Sequence, residues 1–205
     1  MLIPSTFFAA LATAASIPKR TPAETTSTGV RFKVNFVSGS DDLKGVDKTY
    51  LHGLHSGAGY NYASFKADGG FTFFKNVSST DESRNSLISS WPPLTINFLA
   101  TAEDGGSQVM ISAATANDDV QVVKDDASLY LAPITWAACT VPLEGLLGGQ
   151  YTVLKNYEDA SKVPEACATI DLVPYCAELP AFPTDEAATK LNFHPQEIPC
   201  YSESA

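Results

Sequence analysis

Arg31-Phe32-Lys33-Val34-Asn35-Phe36 alternates polar and apolar residues without a slip. A strand sends successive side chains to opposite faces, so this hexamer reads as a strand with one wet face and one buried face. Leu94-Thr95-Ile96-Asn97-Phe98 repeats the pattern. Weaker runs of the same period lie at residues 50–54, 62–66, 71–74, 109–111, 120–123, 129–134, 136–141, 151–154 and 169–173. Turn residues separate them, in Gly39-Ser40-Asp41-Asp42, Asp68-Gly69-Gly70, Glu103-Asp104-Gly105-Gly106, Asn117-Asp118-Asp119 and Gly148-Gly149. About ten short strands at this spacing specify an all-β fold, an antiparallel sandwich with a closed β-barrel as the alternative. The pattern leaves room for at most one short helix, over residues 184–191, begun by Thr184 or Asp185 as N-cap. Residues 78–93, ending in Trp91-Pro92-Pro93, read as a long irregular stretch.

A chain of 205 residues with 44% apolar and 18% charged residues can bury roughly 70% of its unfolded surface, enough for a core that needs no metal. The formal charge is −10, and the 13 basic residues are scattered. Phosphate backbones and anionic membranes attract clustered Lys and Arg, so neither nucleic acid nor a membrane surface is an expected partner. Phe7-Phe8-Ala9-Ala10-Leu11-Ala12-Thr13-Ala14-Ala15, with small-x-small patterns at its end, reads as a signal peptide. Lys19-Arg20 behind it resembles the processing site of fungal kexin-type proteases. The expected order is a leader over residues 1–20, a Ser/Thr-rich linker over 21–29, a β domain over 30–178 and a Pro-rich tail over 179–205 held by Cys200. A secreted, extracellular monomer follows from this reading.

Four cysteines, Cys139, Cys167, Cys176 and Cys200, behind a leader imply two disulfides. Three connectivities exist. Residues 168–173 read as a strand, which would hold Cys167 and Cys176 roughly 30 Å apart at ~3.3 Å per residue, against the ~7 Å a disulfide allows. Of the other two, Cys139–Cys167 with Cys176–Cys200 is favoured, because the second bond would pin the tail. Asn76-Val77-Ser78 is a glycosylation sequon, which predicts an exposed loop there.

The most unusual segment is Leu51-His52-Gly53-Leu54-His55-Ser56-Gly57-Ala58-Gly59-Tyr60-Asn61-Tyr62, with two of the three histidines. His52, His55, Tyr60 and Tyr62 form a candidate binding loop, the tyrosines offering faces on which a sugar could stack. The plain alternative is a tight turn to which Gly57 and Gly59 give backbone freedom. His52 and His55 fall on opposite faces of a strand, so no metal site is assigned. Tyr62 stands where a third Gly would complete a dinucleotide fingerprint, and no helix follows, so no cofactor is expected. Hydrolase motifs are missing, and adjacent carboxylates such as Asp41-Asp42 and Asp125-Asp126 diverge on a strand or turn. No catalytic residues are assigned, and the reading leans against an enzyme.

His55-Ser56-Gly57-Ala58-Gly59, Trp136-Ala137-Ala138-Cys139 with Gly149-Gln150-Tyr151, and Pro164-Glu165-Ala166-Cys167-Ala168-Thr169-Ile170-Asp171-Leu172 resemble segments of a family of small secreted β-proteins of filamentous fungi. The resemblance spans roughly residues 30–176. It too favours Cys139 with Cys167, and it brings no catalytic residues with it. What it implies is a secreted fungal protein acting by binding, to an extracellular glycan or a host or cell-wall component. The alternatives are a small apolar ligand carried in a β-barrel, and a hydrolase with carboxylates gathered from distant positions.

Overall fold

The computed structural model describes residues 23–77, 85–90, 92–114, 119–125, 128–133, 135–143, 148–182 and 193–203. The leader, the dibasic pair and the helix expected over 184–191 lie outside them. The strands are β1 (Glu24–Ser27), β2 (Gly29–Gly39), β3 (Tyr50–Gly57), β4 (Tyr60–Lys66), β5 (Phe73–Val77), β6 (Asn85–Ser89), β7 (Thr95–Thr101) and β8 (Ser107–Ser112). They continue with β9 (Gln121–Lys124), β10 (Leu129–Ala132), β11 (Trp136–Leu143), β12 (Gly149–Asn156), β13 (Ala168–Ala177), β14 (Pro195–Gln196) and β15 (Ile198–Tyr201). Among the described residues, helix is confined to two 3-10 segments, Asp41–Val46 and Ala160–Lys162.

The hydrogen-bonded path runs β1-β15-β13-β11-β12-β4-β3-β2-β5-β6-β7-β8. Further pairings of β13 with β2, and of β8 with β12 and β4, bring distant parts of that path together. The sheet thereby folds over itself, and its inner faces meet as a sandwich. Pairing is antiparallel except where β15 runs parallel to β13 at Tyr175 and Tyr201. The longest contact joins β2 to β13, from Gly29 opposite Ala177 to Gly39 opposite Ala168, with a bulge at Thr169/Ile170.

Alternation decides which way these strands face. Val30, Phe32 and Val34 of β2 and Ala168, Ile170 and Leu172 of β13 are buried, with the residues between them turned outward. Their inner face meets Trp136, Leu154, Ile96, Ile111 and Leu131 in one core. Trp136 stacks on Phe98 at 5.9 Å, tying β11 to β7, which it does not pair with. Its indole N–H donates to the Leu131 carbonyl at 2.7 Å, so its one polar atom is satisfied. Each such side chain contributes ~1.5–3 kcal/mol of burial, against the entropy of ordering it. The ligand-carrier reading expects an open interior; the inner faces of these strands carry the fully buried Phe32, Trp136, Leu154 and Leu172.

Three segments differ from the sequence reading. Residues 24–27, expected in a linker, form β1 against β15, with Thr25 opposite Cys200. β1 lies at a sheet edge and is almost wholly exposed, so it shows no alternation to read. Residues 85–89, expected to be irregular, form β6 against β5. The tail contributes β14, paired with β5, and β15, whose Ile198 and Cys200 enter the core. Phe182 and Phe193 of that tail also cover Phe74, with ring centroids 5.1 and 5.3 Å away, on the face of β5 opposite the core residue Phe73. Two disulfides, Cys139–Cys167 and Cys176–Cys200, cross-link β11 to the approach of β13, and β13 to β15.

Candidate functional site

The outward side chains of β3, β2, β13 and β15 fall side by side because of their register. Lys33 stands opposite Tyr50 on one side and Val173 on the other. Asn35 faces Asp171, and its amide donates to that carboxylate at 3.2 Å. Tyr175 lies opposite Arg31 on β2 and opposite Tyr201 on β15. The result is a face carrying Lys33 between Tyr50 and Tyr175, with Tyr201 beyond Tyr175. The Lys33 ammonium lies 5.3 Å from the centre of the Tyr50 ring and 5.1 Å from that of Tyr175. Both distances are within the ~6 Å of a cation–π contact. Tyr175 and Tyr201 stack at 6.2 Å, and the Tyr201 hydroxyl accepts from the Leu129 N–H at 3.0 Å. These contacts hold the rings in place.

Beside Lys33 lies a groove of about 240 Å³ lined by Asn35, Asp47, Lys48, Val173 and Tyr175. Its rim is a tight turn. Lys48 adopts φ +63, the left-handed conformation, which costs a residue other than Gly roughly 1–2 kcal/mol. Lys48 N–H donates to the Val34 carbonyl, and Val34 N–H to the Thr49 carbonyl, both at 2.8 Å, so β2 holds the turn in place. Asp47 accepts from the Phe36 N–H at 3.0 Å. Glu203, just past β15, reaches the same face. Its carboxylate accepts from the Tyr50 hydroxyl and lies 3.9 Å from the Lys33 ammonium. Partial burial, then the Glu203 hydrogen bond and charge, push the Tyr50 hydroxyl up to about 12.

The residues singled out in sequence lie elsewhere, on the β3–β4 hairpin. Gly59 makes its turn with φ +73, and the Ser56 hydroxyl donates across it to the Tyr60 carbonyl at 3.1 Å. His55 is exposed at the hairpin end, opposite Asn61, while Tyr62 is half-buried opposite Leu54. Tyr60 is 57% exposed. His52 packs its ring on Phe71 at 4.8 Å, and its buried Nδ1 has no hydrogen-bond partner among the described residues. Burial, and next the Lys66 charge, push its pKa below the ordinary histidine value. Among the described residues no three His, Cys, Asp or Glu side chains gather closely enough to hold a metal ion. Asn76, expected in an exposed loop, is in β5 between β6 and β14, and its Oδ1 accepts from the His194 N–H at 2.8 Å.

A second cluster that the sequence reading passed over is internal. Lys155 on β12 is buried, and its ammonium donates to Asp104 in the β7–β8 turn. The buried Tyr157 hydroxyl donates to the same Asp104 oxygen at 3.2 Å, and the Gly106 N–H to the other at 3.0 Å. Burial alone would raise the Asp104 pKa. The bonds from Lys155, Gly106 and Tyr157, with the Lys155 charge, hold it below the usual carboxylate range. Burial and the Asp104 charge push the Tyr157 hydroxyl far up. Tyr157 also packs with Cys139 and Cys167. A carboxylate held ionised by a buried ammonium is a structural latch and is ill-suited to act as a general acid.

No solved structure matches the chain. It is 29% identical over 186 residues to the antigenic protein SchS34 of Stachybotrys chartarum, covering 82% of this chain and 84% of that protein. A family model described as a domain of unknown function, DUF7907, matches residues 27–176, which span the face carrying Lys33, Tyr50 and Tyr175 but stop before Glu203. The chain belongs to this DUF7907 family.

Proposed function

We propose that the protein is a secreted fungal binding protein that takes extracellular saccharide on the outer face of β3, β2, β13 and β15, without turning it over. The observation that carries this reading is Tyr50 and Tyr175 flanking Lys33, with Tyr201 stacked on Tyr175, on one outward face. Aromatic rings suit the apolar faces of sugar rings, and Asn35, Asp171 and Lys48 stand beside them to exchange hydrogen bonds with hydroxyl groups. Two disulfides and an antigenic relative in Stachybotrys chartarum support a protein that leaves the cell.

Calorimetric titration of the secreted protein with cell-wall oligosaccharides tests this. Binding is expected to weaken at least fivefold, ~1 kcal/mol, on Tyr175→Ala. It should be unchanged on His55→Ala or Tyr60→Ala. Binding that depends on His55 and Tyr60 instead would move the site to the β3–β4 hairpin. Continuous heat from turnover would make the protein an enzyme.

A further inference from the structure

The tyrosine face already holds an occupant, and it comes from outside the family domain. Lys33, Tyr50 and Tyr175 lie within residues 27–176, while Glu203 lies beyond them, on a tail fastened to the domain by Cys176–Cys200. The Glu203 side chain is 53% exposed, so the interior does not force it into this position. It is nonetheless aimed at the ammonium between the two rings and accepts the Tyr50 hydroxyl. A cation flanked by two aromatic faces and a phenol donor is a carboxylate receptor in its chemistry: the ammonium supplies charge and the hydroxyl supplies direction.

We infer that this face recognises a sugar acid, a hexuronate residue of an acidic polysaccharide, with its carboxylate at the Lys33–Tyr50 edge that Glu203 occupies and its ring in the adjoining groove lined by Lys33 and Tyr175, and that Glu203 is a built-in competitor for it. The inference rests on the saccharide reading above and narrows it. The ligand carboxylate takes the place of Glu203 against Lys33 and Tyr50, and its ring lies along Tyr175. Asn35 and Lys48, both on the groove wall, face its hydroxyl groups. At about 240 Å³, the groove falls below the ~300 Å³ at which pockets for drug-sized ligands begin, and it suits a single sugar ring of a longer chain. The net charge of −10 does not prevent this, because charges more than ~8–10 Å away are screened at physiological salt, and the carboxylate on the groove wall, Asp47, lies 4.0 Å from the Lys48 ammonium that offsets it.

The test uses oligogalacturonate and its fully methyl-esterified form, which carry the same ring with and without the charge. Glu203→Gln leaves a carbonyl oxygen for the Tyr50 hydroxyl but removes the charge that competes for Lys33, and it leaves every buried contact in place. A site that Glu203 covers about nine-tenths of the time gains about tenfold in apparent affinity when the competitor is removed. The expected result is tighter binding of oligogalacturonate by E203Q, weaker binding at higher salt, little binding of the methyl ester, and loss of binding in E203Q on adding Lys33→Met. If K33M does not fold, Tyr50→Phe removes only the hydroxyl and should weaken binding of the acid form alone. Equal binding of acid and ester, unmoved by E203Q, would overturn the acid specificity and leave the saccharide face standing. Binding of poly-glutamate but neither saccharide would overturn the sugar-ring assignment. No binding by any of the three would sink the inference and the saccharide reading together.

Discussion

Replacing Asp104 by Asn leaves a similar shape in the β7–β8 turn and removes only the charge that Lys155 needs. The Lys155 side chain is 6% exposed, so water cannot replace the lost partner. Breaking a fully buried pair at one end costs ~3–5 kcal/mol. Here the Asp104 side chain is 38% exposed, so the loss is discounted to ~2 kcal/mol. For a domain of this size that is a fall in Tm of about 4–8 °C. Lys155→Met should cost less, within ~1 kcal/mol, because it removes the buried charge and leaves Asp104 free to hydrate. Urea unfolding at a series of pH values measures both. The folded-state pKa of Asp104 is depressed, so its contribution is fully present above ~4 and is lost as pH falls through the folded value. The gap between wild type and D104N should hold from neutral pH to about 5 and then close. Equal losses for D104N and K155M, or a gap that does not narrow as pH falls below ~4, would refute the latch.

Further outcomes follow from other contacts. Gly106→Ala would place a Cβ 2.5 Å from the Tyr157 ring, so it should cost ~1–3 kcal/mol, read as a lower urea midpoint with unchanged slope. Removing the Cys176–Cys200 bond, which spans 24 residues, should cost ~3 kcal/mol and make the segment after residue 177 the first site of limited proteolysis. His52 should titrate below an ordinary histidine by NMR. Its stabilising contribution is present above ~6.5 and lost as pH falls through its lowered pKa, so His52→Gln should flatten the stability profile there.

The architecture was legible where a strand has one buried face. β2 and β13 alternate because Phe32 and Leu172 meet the core while Lys33 and Val173 face water. β1 escaped notice because an exposed edge strand has no buried face, and β15 because its four residues are too few to establish a period. The tyrosine face was harder to see. Lys33, Tyr50, Tyr175 and Glu203 come from four segments, and only the long-range pairing of β2 with β3 and β13 assembles them. Its one local trace was the outward series Arg31, Lys33, Asn35. The rarity of His and Gly drew attention to residues 51–62, where the structure has a hairpin turned by Gly59. Lys155 reads locally as one charged residue at the end of an apolar strand. Its burial arises because β12 is also covered by the turn that carries Asp104.

The most direct single measurement is a proton–nitrogen NMR titration of the purified protein with oligogalacturonate, with the sugar signals followed in the same tube. The account predicts shifts confined to residues 31–35, 47–50, 171–175 and 201–203, with sugar signals that broaden but do not change identity. Shifts centred on His55 and Tyr60, or the appearance of shortened sugar products, would contradict it.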